Sequence, residues 1–447
     1  MKSTDALVAA WEKTLSRKGD APAIFDTQGE VVRTFRGVEE NARALQKTMA
    51  PRDQGELVAI DLGNCPEWPA MLLACLRKGL IALPIDSAAT EEQRAAAIKI
   101  SLRGCGEKRP TLLKLTSGTT AAPRAIRFRS EQLVVDCEQI CDTMEITERD
   151  INFAVIPLSH SYGFSNVVTP MMIRGVPFVV SRDRMPRAVL DDLARTRATV
   201  CPGMPVFYQS FCEMDDLPAL PHLRLCISAG APLPLKVAQK FQEKFGHSIH
   251  SFYGSSECGG ICYDREAALV EEGFVGEPMV GVNLRLLDPS ATASQVEVRS
   301  AAAGDGYLPE PDDKKLRTGR FVPDDLLVEK DHGLRIVGRV SDVINVAGKK
   351  VSPAEVEAIL LKFEGVREAI VFGKQSTLRN EEVAACVVTE KEIVESELLD
   401  FCRSRLSGWQ VPKRIVFLSE MPVSERGKIS RRLLAERYAA GISRSTN

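Results

Sequence analysis

Hydrophobic and polar positions in the first half of the chain follow two periods in turn. Apolar residues recur at helical spacing near residues 5–16, 37–49, 68–76, 130–143 and 234–245, which predicts amphipathic helices. Short apolar runs typical of buried strands lie between them: 57–60, 80–84, 112–115, 153–156, 177–180, 198–200, 223–227 and 249–252. Strands that alternate with helices predict an α/β fold with a parallel sheet.

Four polar or glycine-rich segments follow directly after predicted strands. They read PLSHSYGFS after 153–156, CPGMP after 198–200, SAGAP after 223–227 and YGSSE after 249–252. Ligands of open α/β sheets bind beyond the carboxyl ends of the strands. We therefore predict that the four segments lie at one edge of the sheet and form a site there.

The pattern changes near residue 274 to short strands with turns, and after 338–342 (GRVSD) a smaller α/β unit begins. Its first helix is predicted with Ser352 as N-cap, Pro353 at the first helical position and Glu355 closing a capping box. We expect a large N-terminal domain with parallel or mixed sheets flanked by helices, and a small α+β C-terminal domain. The predicted domains are 1–338 and 339–447.

Composition excludes several classes of protein. The chain has 447 residues, of which 44% are hydrophobic, and its net charge of −2 gives no basic field for nucleic acid. Its twelve cysteines are scattered without CxxC pairs, as buried thiols of a reducing compartment are, and predict no zinc site. The start lacks a signal-peptide pattern and no apolar run reaches membrane-spanning length. A cytoplasmic protein without a membrane span is expected.

The segment 115–124, LTSGTTAAPR, contains the most suggestive chemistry. Thr116 to Thr120 provide four hydroxyls around Gly118 directly after a predicted strand, and such a loop can wrap phosphates with its N–H groups. Arg124 adds a positive charge. By itself, such a cluster is more often a polar surface turn, and no GxxxxGK[ST] motif is present.

Two further stretches point to a nucleotide. In YGSSE, Tyr253 can stack on a base and the carboxylate of Glu257 can hold Mg²⁺. Lys428 follows Gly427 in PVSERGKISRRLL, although a single lysine is usually a solvated surface charge.

These strings together resemble the acyl-adenylate-forming superfamily, which comprises acyl-CoA synthetases, adenylation domains of peptide synthetases, and luciferases. LTSGTTAAPR resembles its phosphate loop, PLSHSYG its next motif, and SAGAPL and YGSSE its adenine and magnesium segments. GRVSDVINVAGKKVSPAEVE resembles its inter-domain hinge, and PVSERGKISRRLL its C-terminal lysine motif. All six occur in the family's order between residues 115 and 434, so the joint match is far more specific than any one string.

The resemblance implies two half-reactions. A carboxylate attacks the α-phosphate of Mg-ATP to give an acyl-adenylate and pyrophosphate, and the thiol of CoA or of a carrier-protein phosphopantetheine then takes the acyl group. The small domain of this family rotates between the two steps about its hinge. The resemblance implies that the ATP site binds the phosphates through Thr116, Ser117, Gly118, Thr119, Thr120, Arg124 and Ser256, and the adenine through Gly230, Ala231, Pro232, Tyr253 and Gly254. It also implies that Glu257 binds Mg²⁺, that Arg339 and Asp325 bind the ribose, and that Lys428 is catalytic. His160 is the implied gate of the acyl pocket, Ser341 the implied hinge, and Gly348 part of the implied thiol tunnel.

The chain departs from the family pattern at several positions. Ala121 replaces a glycine, Arg124 a lysine, and Ser341 the usual Asp or Lys. The family's Thr-Gly-Asp appears as 318–320, Thr-Gly-Arg, so we expect Asp325, or else Asp324, to supply the ribose-binding carboxylate. The stretch between Asp86 and the phosphate loop is short, which predicts a compact N-terminal domain.

Three hypotheses remain open from the sequence. The leading one is an acyl- or aryl-CoA synthetase, and the second is an enzyme that loads a carrier-protein thiol. The third is a non-catalytic nucleotide- or acyl-binding relative, which the substitutions at Ala121 and Arg320 motivate. The sequence does not define the acid or the oligomeric state, but the small and apolar residues of the expected pocket (His160–Phe164, Met204 and Gly259–Ile261) favour an uncharged acyl tail.

Overall fold

Helices and strands alternate through the first half of the chain, as the apolar pattern predicts. The computed structural model describes residues 5–102, 110–116, 124–183, 185–269, 271–291, 293–347, 349–376, 380–422 and 431–440. The helices within these residues are α1 (Ala6–Lys18), α2 (Phe35–Thr48), α3 (Trp68–Arg77), α4 (Glu91–Leu102), α5 (Ser130–Thr143), α6 (Ser161–Gly163), α7 (Thr169–Arg174), α8 (Pro186–Arg195), α9 (Pro205–Cys212), α10 (Leu235–Phe245), α11 (Pro353–Leu360), α12 (Glu395–Arg403) and α13 (Arg431–Ala440).

The strands are mostly short. They are β1 (Pro22–Phe25), β2 (Val31–Thr34), β3 (Leu57–Ile60), β4 (Ile81–Pro84), β5 (Leu112–Leu115), β6 (Ala125–Phe128), β7 (Asn152–Ala154), β8 (Phe178–Val180), β9 (Val200–Gly203), β10 (Leu225–Ser228), β11 (Ile249–Ser255), β12 (Gly259–Tyr263), β13 (Phe274–Pro278), β14 (Asn283–Leu286), β15 (Val296–Arg299), β16 (Tyr307–Leu308), β17 (Leu316–Arg317), β18 (Arg320–Phe321), β19 (Asp325–Lys330), β20 (Gly333–Arg339), β21 (Ile344–Val346), β22 (Lys349–Val351), β23 (Val366–Ser376), β24 (Asn380–Thr389) and β25 (Arg414–Leu418).

The chain divides into two units. The larger contains Met1–Arg285, Glu297–Pro323 and Lys330–Leu334, and the smaller contains Leu286–Val296, Asp324–Glu329 and Arg335–Asn447. The predicted domain boundary between residues 338 and 339 stays a prediction, as do the rotation of the small domain and the compactness of the N-terminal one.

The larger unit is built on a mixed sheet in which nine strands run in the order β13-β12-β11-β10-β9-β7-β8-β1-β2. From β11 to β1 all neighbours are parallel, whereas β2, β12 and β13 are antiparallel to theirs. Side chains between this sheet and its helices form a buried core that includes Phe153, Val179, Tyr208 and Phe241. Burial on both faces explains why these strands read as continuous apolar runs.

A second sheet of the larger unit has the order β16-β6-β5-β4-β3. Strands β3, β4 and β5 are parallel, and β5 turns back into β6 as an antiparallel hairpin with Leu115 opposite Ala125. Strand pairing therefore holds the two ends of the segment 115–124 close together.

The smaller unit packs helices on a sheet of order β22-β21-β24-β23, with β25 parallel to β24. Its core contains Val351, Val356, Leu360 and Leu398. With the mixed sheets of the larger unit, this α+β arrangement confirms the predicted fold class.

The capping box predicted for α11 is wrong. Ser352 is the N-cap and Pro353 the first helical residue, as expected, but the Ser352 hydroxyl makes no cap and donates to the Val337 carbonyl at 2.8 Å. Glu355 instead accepts from the Gln410 amide at 3.1 Å. Each side chain is oriented by a hydrogen bond to a residue outside the first turn of α11, so neither makes the local capping contact.

The cysteines of the described residues behave as small apolar side chains. All eleven are buried and carry free thiols, and burial raises the pKa of Cys75 to about 12. In the same part of the chain, no helix combines the length and the apolar character that crossing a bilayer requires.

Candidate active site

The four polar segments leave one edge of the main sheet. Strands β7, β9, β10 and β11 are consecutive neighbours and parallel, so their carboxyl ends lie side by side, as predicted. Two of the segments are in direct contact, since the hydroxyls of Ser161 and Ser256 are 2.9 Å apart. PLSHSYGFS and YGSSE therefore meet at this edge.

The segment after β7 turns sharply into a helix. Its His160, the predicted acyl-pocket gate, is exposed at the N-cap of α6, and its Nδ1 accepts from the Tyr162 backbone N–H at 3.2 Å. A side chain at Gly163 would come within 2.2 Å of the Pro157 carbonyl oxygen, so the turn requires glycine. The helix continues as a π-helical stretch, Phe164–Val168, an irregularity frequent at functional sites.

The predicted adenine slot combines exposed and buried residues. Gly230, Ala231 and Pro232 follow β10 and are exposed, with Gly230 at a φ of +87°. Tyr253 lies in β11 with only 8% of its surface exposed. Next to it, a side chain at Gly254 would approach the Gly259 carbonyl oxygen to 2.8 Å.

The two ends of the predicted phosphate loop are held together. The Thr116 N–H donates to the Arg124 carbonyl at 2.8 Å, and the Thr116 hydroxyl accepts from the Arg124 N–H at 3.1 Å. The hydroxyl oxygen of Thr116 thus closes the base of the loop. Ser117, Gly118, Thr119, Thr120 and Ala121 lie outside the described residues.

Arg124 is part of a chain of contacts that ends at Glu257. Its guanidinium lies 3.7 Å above the ring of Tyr307 and donates to the Glu310 carbonyl at 2.9 Å. The Tyr307 hydroxyl donates to Glu257 Oε1 at 3.1 Å. The predicted phosphate-binding cation and the predicted magnesium-binding carboxylate are therefore linked through one phenol.

Sequence reasoning missed Tyr307. It lies in the stretch AAAGDGYLPEPDDKK, which reads only as a Gly/Pro/Asp-rich loop. The available signal was an aromatic residue directly after a glycine. Two-residue strand β16 pairs it with Ile126 of β6, a pairing that no local pattern reveals.

The surroundings of Glu257 suit a divalent cation. Burial raises the pKa of its carboxyl group, against the hydrogen bond from Tyr307 and the charge of Lys315, which lower it. Mg²⁺ is commonly held by one or two carboxylates together with phosphate oxygens. A single partly buried carboxylate near a phosphate loop fits that pattern.

The ribose-binding prediction is favoured by one contact within the smaller unit. Arg339 Nε donates to Asp325 Oδ1 at 2.9 Å, so the two side chains expected at the ribose are neighbours. Asp324 uses its backbone carbonyl to accept from the Val340 N–H at 2.8 Å. Asp325 is therefore the better candidate, and its role stays a prediction.

Arg320, which stands where the family has a ribose-binding Asp, has a structural partner in the larger unit. Its Nε donates to Glu297 Oε2 at 2.6 Å and its NH1 to the Lys314 carbonyl at 2.7 Å. The guanidinium of Arg320 holds the pKa of Glu297 at about 2. The residue that departs from the family pattern thus links β18 to β15 and to the turn that contains Lys314.

Only part of the hinge and lysine segments is described. Ser341 lies in a 3₁₀ turn, Val340–Asp342. Lys428 and Gly348 lie outside the described residues, although β21 and β22, on either side of Gly348, pair with Val346 opposite Lys349. The hinge, the thiol tunnel and the catalytic lysine stay predictions.

A second residue that sequence reasoning missed is Arg431, three positions after Lys428. Its NH2 donates to both carboxylate oxygens of Glu357, at 2.7 and 2.8 Å. Its NH1 donates to Asp342 Oδ2 at 3.2 Å, and its Nε to the Val371 carbonyl at 3.1 Å. Arg431 thus anchors the lysine motif to α11, to β23 and to the 3₁₀ turn of the hinge segment.

Comparison with known proteins identifies the family. A model of AMP-binding enzymes matches residues 11–102 and 103–305, and a model of the AMP-binding enzyme C-terminal domain matches residues 355–428. The chain belongs to the AMP-binding enzyme family. This membership confirms the predicted superfamily and the predicted class of enzyme, an adenylate-forming acid–thiol ligase.

Similar proteins include a probable CoA ligase, CCL9, of Humulus lupulus, with 26% identity over 87% of this chain and 88% of that protein. A 3,4-dihydroxybenzoate–aryl-carrier protein ligase of Bacillus anthracis is 28% identical over 73% of each chain. Among solved structures, ATP-bound MatB of Rhodopseudomonas palustris superposes with a TM-score of 0.85 at 22% identity, covering 97% of this chain and 99% of that one.

Proposed function

We propose that this protein converts a carboxylic acid into an acyl-adenylate with ATP and then transfers the acyl group to the thiol of CoA. The observation that carries the proposal is the shared sheet edge together with the linked side chains of Arg124, Tyr307 and Glu257. In that arrangement Arg124 would contact a polyphosphate directly, and Glu257 would contact it through Mg²⁺. Glycine-rich segments lie beside them.

The proposed roles follow from the charges that the first step creates. Attack on the α-phosphate crowds negative charge and releases pyrophosphate, so catalysis depends on positioning and on charge neutralisation. Arg124 and the hydroxyl loop would hold the β- and γ-phosphates, and Glu257 would hold Mg²⁺, which neutralises phosphate charge when bound. Lys428 would bridge the carboxylate and the α-phosphate.

The acceptor thiol has two candidates. The name of the Humulus protein supports CoA, whereas the Bacillus protein, named as a carrier-protein ligase, supports the phosphopantetheine of a carrier protein. We favour CoA because the match to the first protein spans more of both chains. A carrier-protein acceptor is the second candidate.

The test is ATP–pyrophosphate exchange across a panel of aliphatic and aromatic acids. We expect exchange that depends on Mg²⁺ and on at least one acid whose tail is uncharged. Absence of exchange with every acid, while ATP still binds, would favour a non-catalytic nucleotide-binding relative. The variant Glu257→Gln serves as the negative control, since it keeps the size of the side chain but removes its charge.

The acceptor is tested after the acid is known. CoA and a panel of phosphopantetheinylated carrier proteins are supplied separately to enzyme, ATP and that acid, and the thioester is measured. Thioester on CoA alone supports the first candidate. Thioester on a carrier protein alone would overturn it in favour of the second.

A further inference from the structure

A buried lysine lies directly behind the predicted phosphate loop. Lys114 is the third residue of β5, two positions before Thr116, and only 4% of its surface is exposed. Lysine is almost never fully buried unless it is paired. A leucine or methionine would fill this position at a lower cost in free energy, so the buried charge needs an explanation.

The ammonium of Lys114 contacts three side chains on two elements around the site. It lies 4.7 Å from the ring centre of Phe128 in β6 and 5.3 Å from that of Phe164 in the segment after β7. It also donates to the Ser165 hydroxyl at 3.4 Å. Two ring faces and a hydroxyl thus surround the cation.

The contacts continue from Ser165 to a buried carboxylate. The Ser165 hydroxyl donates to Asp136 Oδ2 at 2.6 Å, and the Gly260 N–H donates to Asp136 Oδ1 at 3.1 Å. Ser165 and Asp136 are 4% and 3% exposed. The approach of Asp136 requires a glycine at 259, because a side chain there would lie 1.8 Å from Oδ1.

Lys114, Ser165, Asp136 and the Gly260 N–H form what we call the buried relay. It joins the strand that enters the phosphate loop to PLSHSYGFS and to the residues that follow YGSSE. Burial lowers the pKa of the Lys114 ammonium, and the charge of Asp136 opposes that shift. The hydrogen bonds of the relay fix the relative positions of the segments that it joins.

We propose that Lys114 is a positioning residue of the nucleotide site, which acts through Ser165 and Asp136 to set the phosphate loop against the two neighbouring motifs. The inference rests on the proposed function, since it assigns the phosphates of ATP to that loop. Loss of the relay would displace the loop slightly. Several phosphate contacts would weaken together, while contacts to the adenosine part would remain.

The test uses variants that remove the relay without leaving a buried charge unpaired. Lys114→Met alone leaves Asp136 buried and unpaired, which destabilises the fold. The double variant Lys114→Met/Asp136→Asn removes both charges and keeps an acceptor for the Gly260 N–H. Ser165→Ala is a second, smaller interruption. The matched control is Glu39→Gln/Arg77→Met, which removes a buried ion pair whose 2.8 Å contact involves none of the motif segments.

Binding of ATP and of adenosine is measured by calorimetry, together with the melting temperature. We expect the double variant to melt close to wild type and to bind ATP roughly tenfold more weakly, since small misplacements weaken several contacts at once. Adenosine binding should not change, the control should bind both ligands as wild type does, and Ser165→Ala should shift ATP binding in the same direction.

Two results would overturn the inference while leaving the proposed function intact: unchanged ATP binding by the double variant, or equal weakening of ATP and adenosine. If the double variant does not fold, Ser165→Ala decides between the same outcomes. A wild-type protein that binds no ATP would overturn the proposed function, and the inference with it.

Discussion

Glu257 and Tyr307 form a pair in which each side chain limits the freedom of the other. The phenol donates to the carboxylate at 3.1 Å, and the same ring supports the Arg124 guanidinium at 3.7 Å. Burial of the phenol and the neighbouring carboxylate both raise the pKa of Tyr307, so it stays a donor at neutral pH. The predicted phosphate-binding cation and the predicted metal-binding carboxylate are thus held by protein contacts alone, which would reduce the ordering cost of binding.

The variant Tyr307→Phe should separate these two links. It removes the hydroxyl and keeps the ring beneath Arg124, so we expect roughly tenfold slower pyrophosphate exchange and a higher Mg²⁺ requirement, the size expected for one hydrogen bond to a charged group. The KM for ATP should change little. Exchange rates as a function of Mg²⁺ and ATP concentration measure both effects.

The matching variant Tyr307→Leu also removes the support of Arg124. We expect it to raise the KM for ATP as well, since the guanidinium loses its stacking contact. Identical kinetics for the two variants would show that the ring does not position Arg124.

The shifted pKa of Glu39 makes the stability of the fold depend on pH. Burial disfavours its charge, but hydrogen bonds from Arg77, Trp11 and Arg43 outweigh that effect and lower its pKa from 4.5 to about 2. Because the pKa is lower in the folded state, the stabilisation is present above pH 4.5 and is lost as the pH falls towards 2. It amounts to roughly 3 kcal/mol at neutral pH.

The variant Glu39→Gln checks this window. At about pH 6 it should be less stable than wild type, and the difference should narrow by about pH 3, because below pH 4.5 the carboxyl of the unfolded chain takes up a proton that the folded chain, with a pKa of about 2, still lacks. Denaturant unfolding at both pH values gives the two free energies. If the difference in unfolding free energy were the same at both pH values, the shape of the Glu39 side chain, and not its charge, would explain the loss of stability.

At the scale of elements, the lysine motif depends on the start of α13. Arg431 is the first residue of that helix and joins it to Glu357 in α11, to β23 through the Val371 carbonyl, and to Asp342 in the 3₁₀ turn. The residue that begins α13 therefore has two carboxylate partners in the smaller unit. Its place there is determined by tertiary contacts that its local sequence does not reveal.

Arg431→Met should disturb this segment. It leaves two carboxylates without their shared cation, and because the arginine is 30% exposed we expect a loss of about 2 kcal/mol in the stability of the smaller unit. Pyrophosphate exchange should fall at least tenfold, because a small misplacement of the catalytic lysine is costly. Thermal unfolding and exchange assays measure the two effects.

Arg437→Met is the control, since it changes the same type of residue at an exposed position of the same helix. It should leave both quantities near wild type. If Arg431→Met lost stability but kept full exchange activity, the contacts of Arg431 would not contribute to catalysis.

Over the whole molecule, local patterns predicted the elements and the shared edge well. Helix 130–143 and strand 112–115 have the predicted bounds, because their apolar periods are long or their ends are marked by polar residues. The motif strings identified the family, and the parallel strand order places three of them, together with CPGMP, at one edge of the sheet. The interactions that were predicted wrongly or missed join residues distant in sequence: Ser352 with Val337, Tyr307 with Glu257, and Arg431 with Asp342. No period of 2 or 3.6 residues encodes such pairs.

The two half-reactions make different demands on the chain, and Lys428 tests whether they can be separated. It is expected to bridge carboxylate and α-phosphate during adenylation and to leave the site before thioester formation. Lys428→Ala should therefore reduce ATP–pyrophosphate exchange by at least a hundredfold, which is within the usual range for loss of electrostatic stabilisation of a transition state. Thioester formation from a supplied acyl-adenylate should remain close to wild type.

Both half-reactions of Lys428→Ala are measured on the same preparation, with the acid identified by the exchange panel and its synthetic acyl-adenylate. The control is Lys391→Ala, which removes an exposed lysine of the smaller unit that is paired with Glu364 at 2.8 Å and should change neither rate. Because the supplied acyl-adenylate already contains the bond that Lys428 is proposed to help form, the second step should have no remaining need for that ammonium. Equal loss of both half-reactions would contradict this division, and would place Lys428 in the site during thioester formation as well.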